Sequence, residues 1–344
     1  MKHYRDDRVP PRYVSPTGTR TAFLIMNDKA SASADIRTLG LLLTDDFALM
    51  SYASIIEPFR AANNLSGKRL YAWIHISRDG KAVSASNGAG ILPNQKVGDA
   101  LNCNTLFVFA GGDPASYTDA STFNWLRELA NSGVNIAGVS GGPFLLARAG
   151  LLDGYRATIH WEHAAAMRET FPNLAIESGL YIIDRRRMTC AGGTAGLDLA
   201  IELIERDHGS TLAHRVSEWF IHTESRRAER PQRKGLRERY NVNNDKVLRV
   251  LAAMESTIEE PRSRDALAKF ASVSLRQLER LFKTHLNSTV SETYLAIRLD
   301  QAEQLLRATS LSVTAVAVAC GFNSASHFSR VFRTRFGKAP SSAR

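Results

Sequence analysis

Residues 138–142 read Gly138-Val139-Ser140-Gly141-Gly142, a match to G-x-S-x-G. In hydrolases this pattern marks the sharp strand-to-helix turn that lifts a nucleophilic serine clear of its sheet. A serine hydroxyl attacks a carbonyl only when a base within hydrogen-bond reach takes its proton. The turn supplies no base, since glycine follows the serine at 141 and 142 and proline at 143. His160 and His163 lie on the next segment, "ATIHWEH", and the carboxylate beside them is Glu162. The glycines have a plainer cause, because a tight elbow needs residues without bulk. On this reading Ser140 is not a nucleophile and the chain has no catalytic residue.

An elbow without catalysis still makes a pocket. Backbone N–H groups from Gly141 onward, at the start of the following helix, favour an anion such as a carboxylate. Gly111-Gly112 closes another apolar stretch and would present more amides beside Ser140. Trp161, next to His160, has an aromatic face that can hold an ammonium group by cation–π attraction worth about 0.5–2 kcal/mol; core packing is its commoner use. An anion cradle beside such a face suits a small zwitterionic amine.

The elements around these residues alternate in type. "TLGLLLTDDF", "YAWIHISRDG", "TLFVFAGGDP" and "VNIAGVSGG" read as strands; "ALMSYASIIEPFRAAN", "TFNWLRELANSG" and "PFLLARAGLL" read as helices. The alternation continues to about residue 209, and 210–224 reads as one more helix. This order predicts an α/β doubly wound parallel sheet covered on both faces. Its ligand crevice lies at the carboxyl ends of the strands. Residues 1–35 are polar and aperiodic, an expected arm, and 36–224 form the ligand-sensing domain. "SRRAERPQRKGLRERYNVNND", 225–245, is dense in arginine and carries Pro231 and Gly235, the marks of a linker.

Beyond the linker, 246–344 is helical throughout. "SRDALAKFASVSLRQLERLFKTHL" has the form of a helix-turn-helix, with Ser263 and Ser274 as caps. Its second helix buries Leu275, Leu278, Leu281 and Phe282. The opposite face shows Arg276, Gln277, Arg280, Lys283 and Thr284, side chains able to reach base edges and phosphates. "SVTAVAVACGFNSASHFSRVFRTRFG" repeats the pattern. There Phe328, Val331, Phe332 and Phe336 face inward, while Ser324, Ser326, His327, Arg330 and Arg333 are presented outward. "SETYLAIRLDQAEQLLRAT" between them reads as a rigid spacer. Two recognition helices held about 34 Å apart would enter successive major grooves on one face of a duplex.

"RLDQAEQLLRATSLSVTAVAVACGFNSASHFSRVFRTRFGKAPSSAR" resembles the AraC-type DNA-binding domain, and the likeness extends over about 245–344. It implies that the outward residues of both recognition helices read DNA. Asn287 stands where that family often has glycine, and Ser291 near a common proline. The preceding part resembles the ThiJ/PfpI-like, glutamine-amidotransferase-type fold. The whole chain from about residue 36 thus looks like a GlxA-type transcriptional regulator. In enzymes of that superfamily the elbow carries a cysteine followed by a histidine; here Ser140 and Gly141 occupy those positions. Glu57, in "IIEPFRAAN", aligns with the acid that faces the elbow in the superfamily, and otherwise reads as a helix-surface glutamate. "ARAGLLDGYRATIHWEH" and "TCAGGTAGLDLAIELI" most resemble the branch controlling catabolism of amino acids and methylated amines, which implies a betaine-, carnitine- or arginine-like effector. Activation of catabolic genes, with RNA polymerase as a partner, and a homodimer are further implications of the family.

Charge and composition agree with this division. Residues 225–344 carry 22 Lys and Arg against 11 Asp and Glu, although the whole chain is only +10. The basic character therefore belongs to the C-terminal third, which calls for an anionic partner such as double-stranded DNA. No apolar run approaches the roughly 20 residues that span a bilayer. Cys103, Cys190 and Cys320 are too scattered for a disulfide framework, and the histidines, including His208 and His214, show no metal spacing. A cytoplasmic protein without a metal or other cofactor is expected, with Cys190 a buried thiol. Two other readings compete. One is a serine-dependent amidase with a DNA-binding appendage; the other is an architectural DNA-binding protein that senses nothing.

Overall fold

In the computed structural model, which describes residues 36–309 and 311–343, the apolar run "RTLGLLL" forms β1 (Arg37–Leu43). The expected arm over 1–35 lies outside the described residues. Then follow α1 (Leu49–Ser66), β2 (Tyr71–Ser77), short strands β3 (Val83–Ser84), β4 (Gly90–Ile91) and β5 (Gln95–Lys96), and β6 (Thr105–Ala110). Next come α2 (Ala120–Asn131), β7 (Asn135–Ser140), α3 (Gly142–Arg148), β8 (Arg156–Thr158), α4 (Trp161–Thr170) and β9 (Ala175–Glu177). The half closes with β10 (Tyr181–Asp184), β11 (Arg187–Cys190), α5 (Ala195–His208) and α6 (Ser210–Trp219).

Seven strands make one sheet in the order β10-β11-β7-β6-β1-β2-β5. All its pairings are parallel except β10 with β11, which is antiparallel. The expected doubly wound sheet is therefore mixed at one edge. The turn that reverses the chain there, Asp184–Arg187, holds Arg185 at φ 54° and contains no glycine or asparagine, so it gave no turn signal. The chain steps from β1 outward to β2 and later returns to β6 on the other side of β1. That reversal opens a crevice between the carboxyl ends of β1 and β6.

The buried strands carry apolar residues on both faces, as a sheet covered on both sides requires. One face packs Leu41, Phe107 and Val139 under α1, α5 and α6, with Phe59, Leu199 and Val216 among the contacts. The other packs Leu42, Val108 and Ile136 under α2 and α3.

The remaining helices are α7 (Leu236–Tyr240), α8 (Asp245–Ser256), α9 (Arg264–Phe270), α10 (Leu275–Leu286), α11 (Val290–Ala308), α12 (Val313–Ala319) and α13 (Ala325–Phe336). Ser263, Ser274, Ser312 and Ser324 each accept a backbone N–H at a helix start. Thr289 and Glu292 form a capping box on α11. Each such cap is worth about 1 kcal/mol and fixes where a helix begins. The two helix-turn-helix units use different residues for one backbone task. Their inner turns carry Ser272 at φ 55° and Gly321 at 73°; their second helices end on Asn287 at 51° and Gly337 at 71°. Asn287 therefore fills the place often taken by glycine, because asparagine tolerates the left-handed region. At Gly321 the glycine is obligatory, since a Cβ would lie 2.5 Å from the Ile258 carbonyl oxygen.

α11 joins two cores. Its first half contributes Val290, Tyr294 and Ile297 to the core of α8–α10. Its second half contributes Leu299, Ala302 and Leu306 to a core that includes Phe328 and Phe332 of α13, and Phe144, Ala166 and Met167 of the α/β half. α4 packs directly on α11.

Candidate functional site

The two second helices present their polar faces as expected. Arg276, Arg280 and Lys283 of α10 are exposed, as are Ser326, His327, Arg330 and Arg333 of α13; Gln277 is half-buried. Leu278 and Phe282 on one helix, Phe328 and Phe332 on the other, are fully buried behind them. Leu275, Leu281, Val331 and Phe336, expected in the core, are partly buried at its margin. Ser274 and Ser324 serve as caps, so their hydroxyls are already engaged with the Gln277 and His327 amides. Arg335 is held by Asp300, whereas the Arg330 guanidinium, which pairs with no carboxylate among the described residues, lies 3.3 Å from His327 Nδ1. A residue without a sequence signal fixes the second unit. Arg298 of α11 donates to the Cys320 and Gly321 carbonyls at 2.8 and 2.7 Å and lies 4.1 Å from the Phe322 ring centroid.

In the α/β half, Ser140 ends β7 with φ 60°, the left-handed geometry of a strained elbow. The surrounding glycines answer to sterics. A Cβ on Gly142 would meet the Val108 carbonyl oxygen at 2.0 Å, and one on Gly138 would meet the Pro143 nitrogen at 2.6 Å. Among the described residues no side chain bonds Ser140 Oγ. His160 reaches the elbow through its backbone N–H, which donates to the Ser140 carbonyl at 3.3 Å. Its ring instead places Nδ1 3.5 Å from Glu162 and lies beside Trp161. Burial lowers the His160 pKa, with Glu162 opposing, and lowers that of His163 to about 4, so both rings stay neutral at pH 7. Cys190 is fully buried and its thiol is pushed up to about 12 by burial.

Three expectations need correction here. Glu57 does not turn to the elbow: its carboxylate binds Arg60 at 2.8 and 2.6 Å on a half-exposed face of α1. The α1 residue lining the elbow is Ser51, whose Oγ accepts the Gly193 N–H at 2.7 Å beside Ser140. The amide cradle is also reduced. Gly141 N–H donates to the Ala110 carbonyl, Pro143 has no N–H, and α3 is only seven residues long. Gly111 and Gly112 pack on the turn after β1 rather than on Ser140, for a Cβ on Gly111 would lie 2.1 Å from the Asp46 oxygen. Gly111 borders a cleft of about 550 Å³ at the β1–β6 switch point, lined also by Asp45, Asp46, Asp113, Arg78 and Lys81.

The stretch expected to be a linker is pinned to the sheet. Arg226 donates from its backbone and guanidinium to the buried Asp198 at 2.7–3.0 Å, and His222 adds a fourth bond at 2.8 Å. Ala228 accepts the Leu180 N–H at 2.7 Å. Gln232 Nε2 donates to Thr158 Oγ1, the Ile159 carbonyl and the Gly179 carbonyl at 2.9–3.0 Å. The guanidinium of Arg233 sits 4.5 Å from the centroid of Trp161. The aromatic face expected to be open to a ligand cation is thus occupied by the chain itself. Proline, glycine and charge in this stretch masked those contacts, because each is made by one side chain and leaves no periodic trace.

Residues 40–206 match the model of the DJ-1/PfpI family, and residues 267–344 that of a helix-turn-helix domain. The HTH-type transcriptional regulator GlxA of Rhizobium meliloti is 41% identical over 316 residues, 92% of this chain and 98% of the relative. The chain belongs to the GlxA-type family of AraC-class transcriptional regulators. CdhR of Pseudomonas aeruginosa, an HTH-type transcriptional regulator, is 44% identical over 88% of this chain and 90% of its own. GbdR of the same species, also an HTH-type transcriptional regulator, is 42% identical over 88% and 83%. As a GlxA-type regulator the chain has DNA as its partner. Among the described residues no helix is long and apolar enough to cross a membrane.

Proposed function

We propose that this regulator senses a small zwitterionic amine without transforming it, and activates catabolic genes as a homodimer through RNA polymerase. Two regions divide the work, a sensing half over 36–224 and a DNA-reading half over 246–344. Arg276, Gln277, Arg280 and Lys283 on one helix, with Ser326, His327, Arg330 and Arg333 on the other, contact the duplex; Ser274 and Ser324 set the helix starts. The effector lies along the strand ends, from the mixed-charge cleft beside Gly111 and Gly112 past Ser140 and Gly141 to His160 and Trp161. Arg78 and Lys81 in that cleft suit its carboxylate, and the ring face of Trp161 suits its cationic group. The resemblance to the branch handling amino acids and methylated amines supports the same ligand class.

One observation carries the non-catalytic reading. The elbow keeps its strained backbone while its hydroxyl has no bonded base among the described residues, so the geometry of a nucleophile persists without the means to deprotonate it. The 3.5 Å approach of Glu162 to His160 favours the rival amidase reading, for it is the acid–histidine half of a triad. Ser140→Ala separates the two. The variant should bind operator as the wild type does, and neither protein should release amine from amide substrates. Turnover by the wild type that the variant lacks would refute the proposal. A thermal-shift screen of amino acids and methylated amines, followed by operator binding with any hit, tests the effector class.

A further inference from the structure

The strap from α6 to α7 is held with unequal strength along its length. Its first part is fastened by Arg226 to a carboxylate, Asp198, whose side chain is wholly buried. Its last part has only Gln232 and the exposed Arg233. Among the described residues Gln232 leaves its buried Oε1 without a partner, and Arg233 rests on Trp161. Gly235 follows in open space, then α7, which buries none of its residues. Undocking 232–235 therefore breaks the two N–H donations of the Gln232 amide, shared among three acceptors, and one ring contact, and takes no residue out of a core.

The two ends of this contact lead to different DNA-reading units. α7 is tied to α8 by Arg239 and Glu255 at 2.7 Å, and α8 belongs to the core of the first unit. Trp161 begins α4, which packs on α11 and shares its core with the second unit. Between them lie Gln232 Oε1, which has no partner among the described residues, and the Trp161 ring under Arg233.

We propose that residues 232–235 form a latch in which Arg233 occupies, on Trp161, the seat of the effector's cationic group, so that latch docking and effector binding exclude each other. The proposal rests on the effector reading above and adds its regulation. Release frees α7 and so loosens the hold of the sensing half on the first unit, while α4 keeps its contact with α11. The chain thus carries its own competitor for the sensing site.

The test uses the full-length protein and the series from glycine to glycine betaine as probes. Arg233→Gln removes the competitor and should tighten the best probe about 2- to 30-fold, the range of one lost cation–π contact. Amide exchange at 232–235 should rise at least about tenfold in the ligand-free variant and in the liganded wild type. Operator affinity of the ligand-free variant should shift in the direction that ligand shifts the wild type, and ligand should have no further effect. Arg233→Lys, which keeps a cation, should stay near wild type. Unchanged exchange, or faster exchange with unchanged operator affinity, would overturn the latch even where a probe binds. If no probe binds either protein, the effector reading fails. The ligand-free variant then still decides whether 232–235 control the reading half.

Discussion

Besides Arg335, which Asp300 pairs, Arg276, Arg280 and Lys283 on α10 and Arg330 and Arg333 on α13 give each chain five exposed cations on the two reading helices. If Arg280, Lys283 and Arg333 neutralise phosphates while Arg276 and Arg330 read bases, log affinity falls with log salt at a slope of about −2.7 per chain. Between 50 and 200 mM salt that is a loss of about 40-fold. Lys283→Ala, a late-turn point charge, should reduce the slope by about 0.9 and weaken every sequence alike. Arg276→Ala, in the first turn where recognition helices meet base edges, should instead cost about 1–3 kcal/mol, or 5- to 150-fold, and relax one base position. Arg330→Ala should do the same for the second reading helix, and the two losses should add, since the side chains belong to different helix-turn-helix units. All three side chains are exposed, so thermal stability should move by no more than about 0.5 kcal/mol. Fluorescence anisotropy with an operator fragment recovered by selection, repeated across a salt series, measures both slope and specificity. Wild-type affinity in both arginine variants, or a slope untouched by Lys283→Ala, would refute the assignment of these faces to DNA.

The legible parts of this chain were those repeated along the sequence. The 3.6-residue recurrence of Leu275, Leu278 and Phe282, together with Ser274 before it, predicts α10 and its cap because helix geometry leaves no other face for the apolar residues. The strand runs were equally plain, for a sheet covered on both faces tolerates little but apolar residues. Contacts made by one side chain at a distance escaped. Nothing in "PQRKG" shows that its glutamine joins the end of β8 to the loop before β10 or that its arginine finds Trp161. Nor does "RLDQ" show that Arg298 will clamp a turn 22 residues on. Glu57 was placed by resemblance, yet Arg60 one helical turn later offers its carboxylate a nearer partner than the elbow does. Gly141 had the right residue type for an anion cradle but the wrong bond, since the parallel strand beside it claims the N–H.

Two further tests probe the elbow and its surroundings. Gly142→Ala drives a methyl to 2.0 Å from the Val108 carbonyl, inside a strand that has no room to yield. It should destabilise by at least about 1–3 kcal/mol in thermal denaturation. Gly90→Ala, where a methyl meets open space, should remain within about 0.5 kcal/mol, and equal effects would mean the elbow is not sterically closed. His163 is buried and neutral, its pKa lowered from 6.5 to about 4 by burial and then by neighbouring His160. As pH falls through that window the unfolded chain binds a proton that the folded chain refuses, so stability is full above 6.5 and is lost toward 4. The loss is at most about 3 kcal/mol at the acid end. His163→Gln, which carries no titrating proton, should flatten that part of the stability profile. Superimposable slopes for the two proteins between pH 7 and 4.5 would show that the ring takes up its proton in the folded state after all.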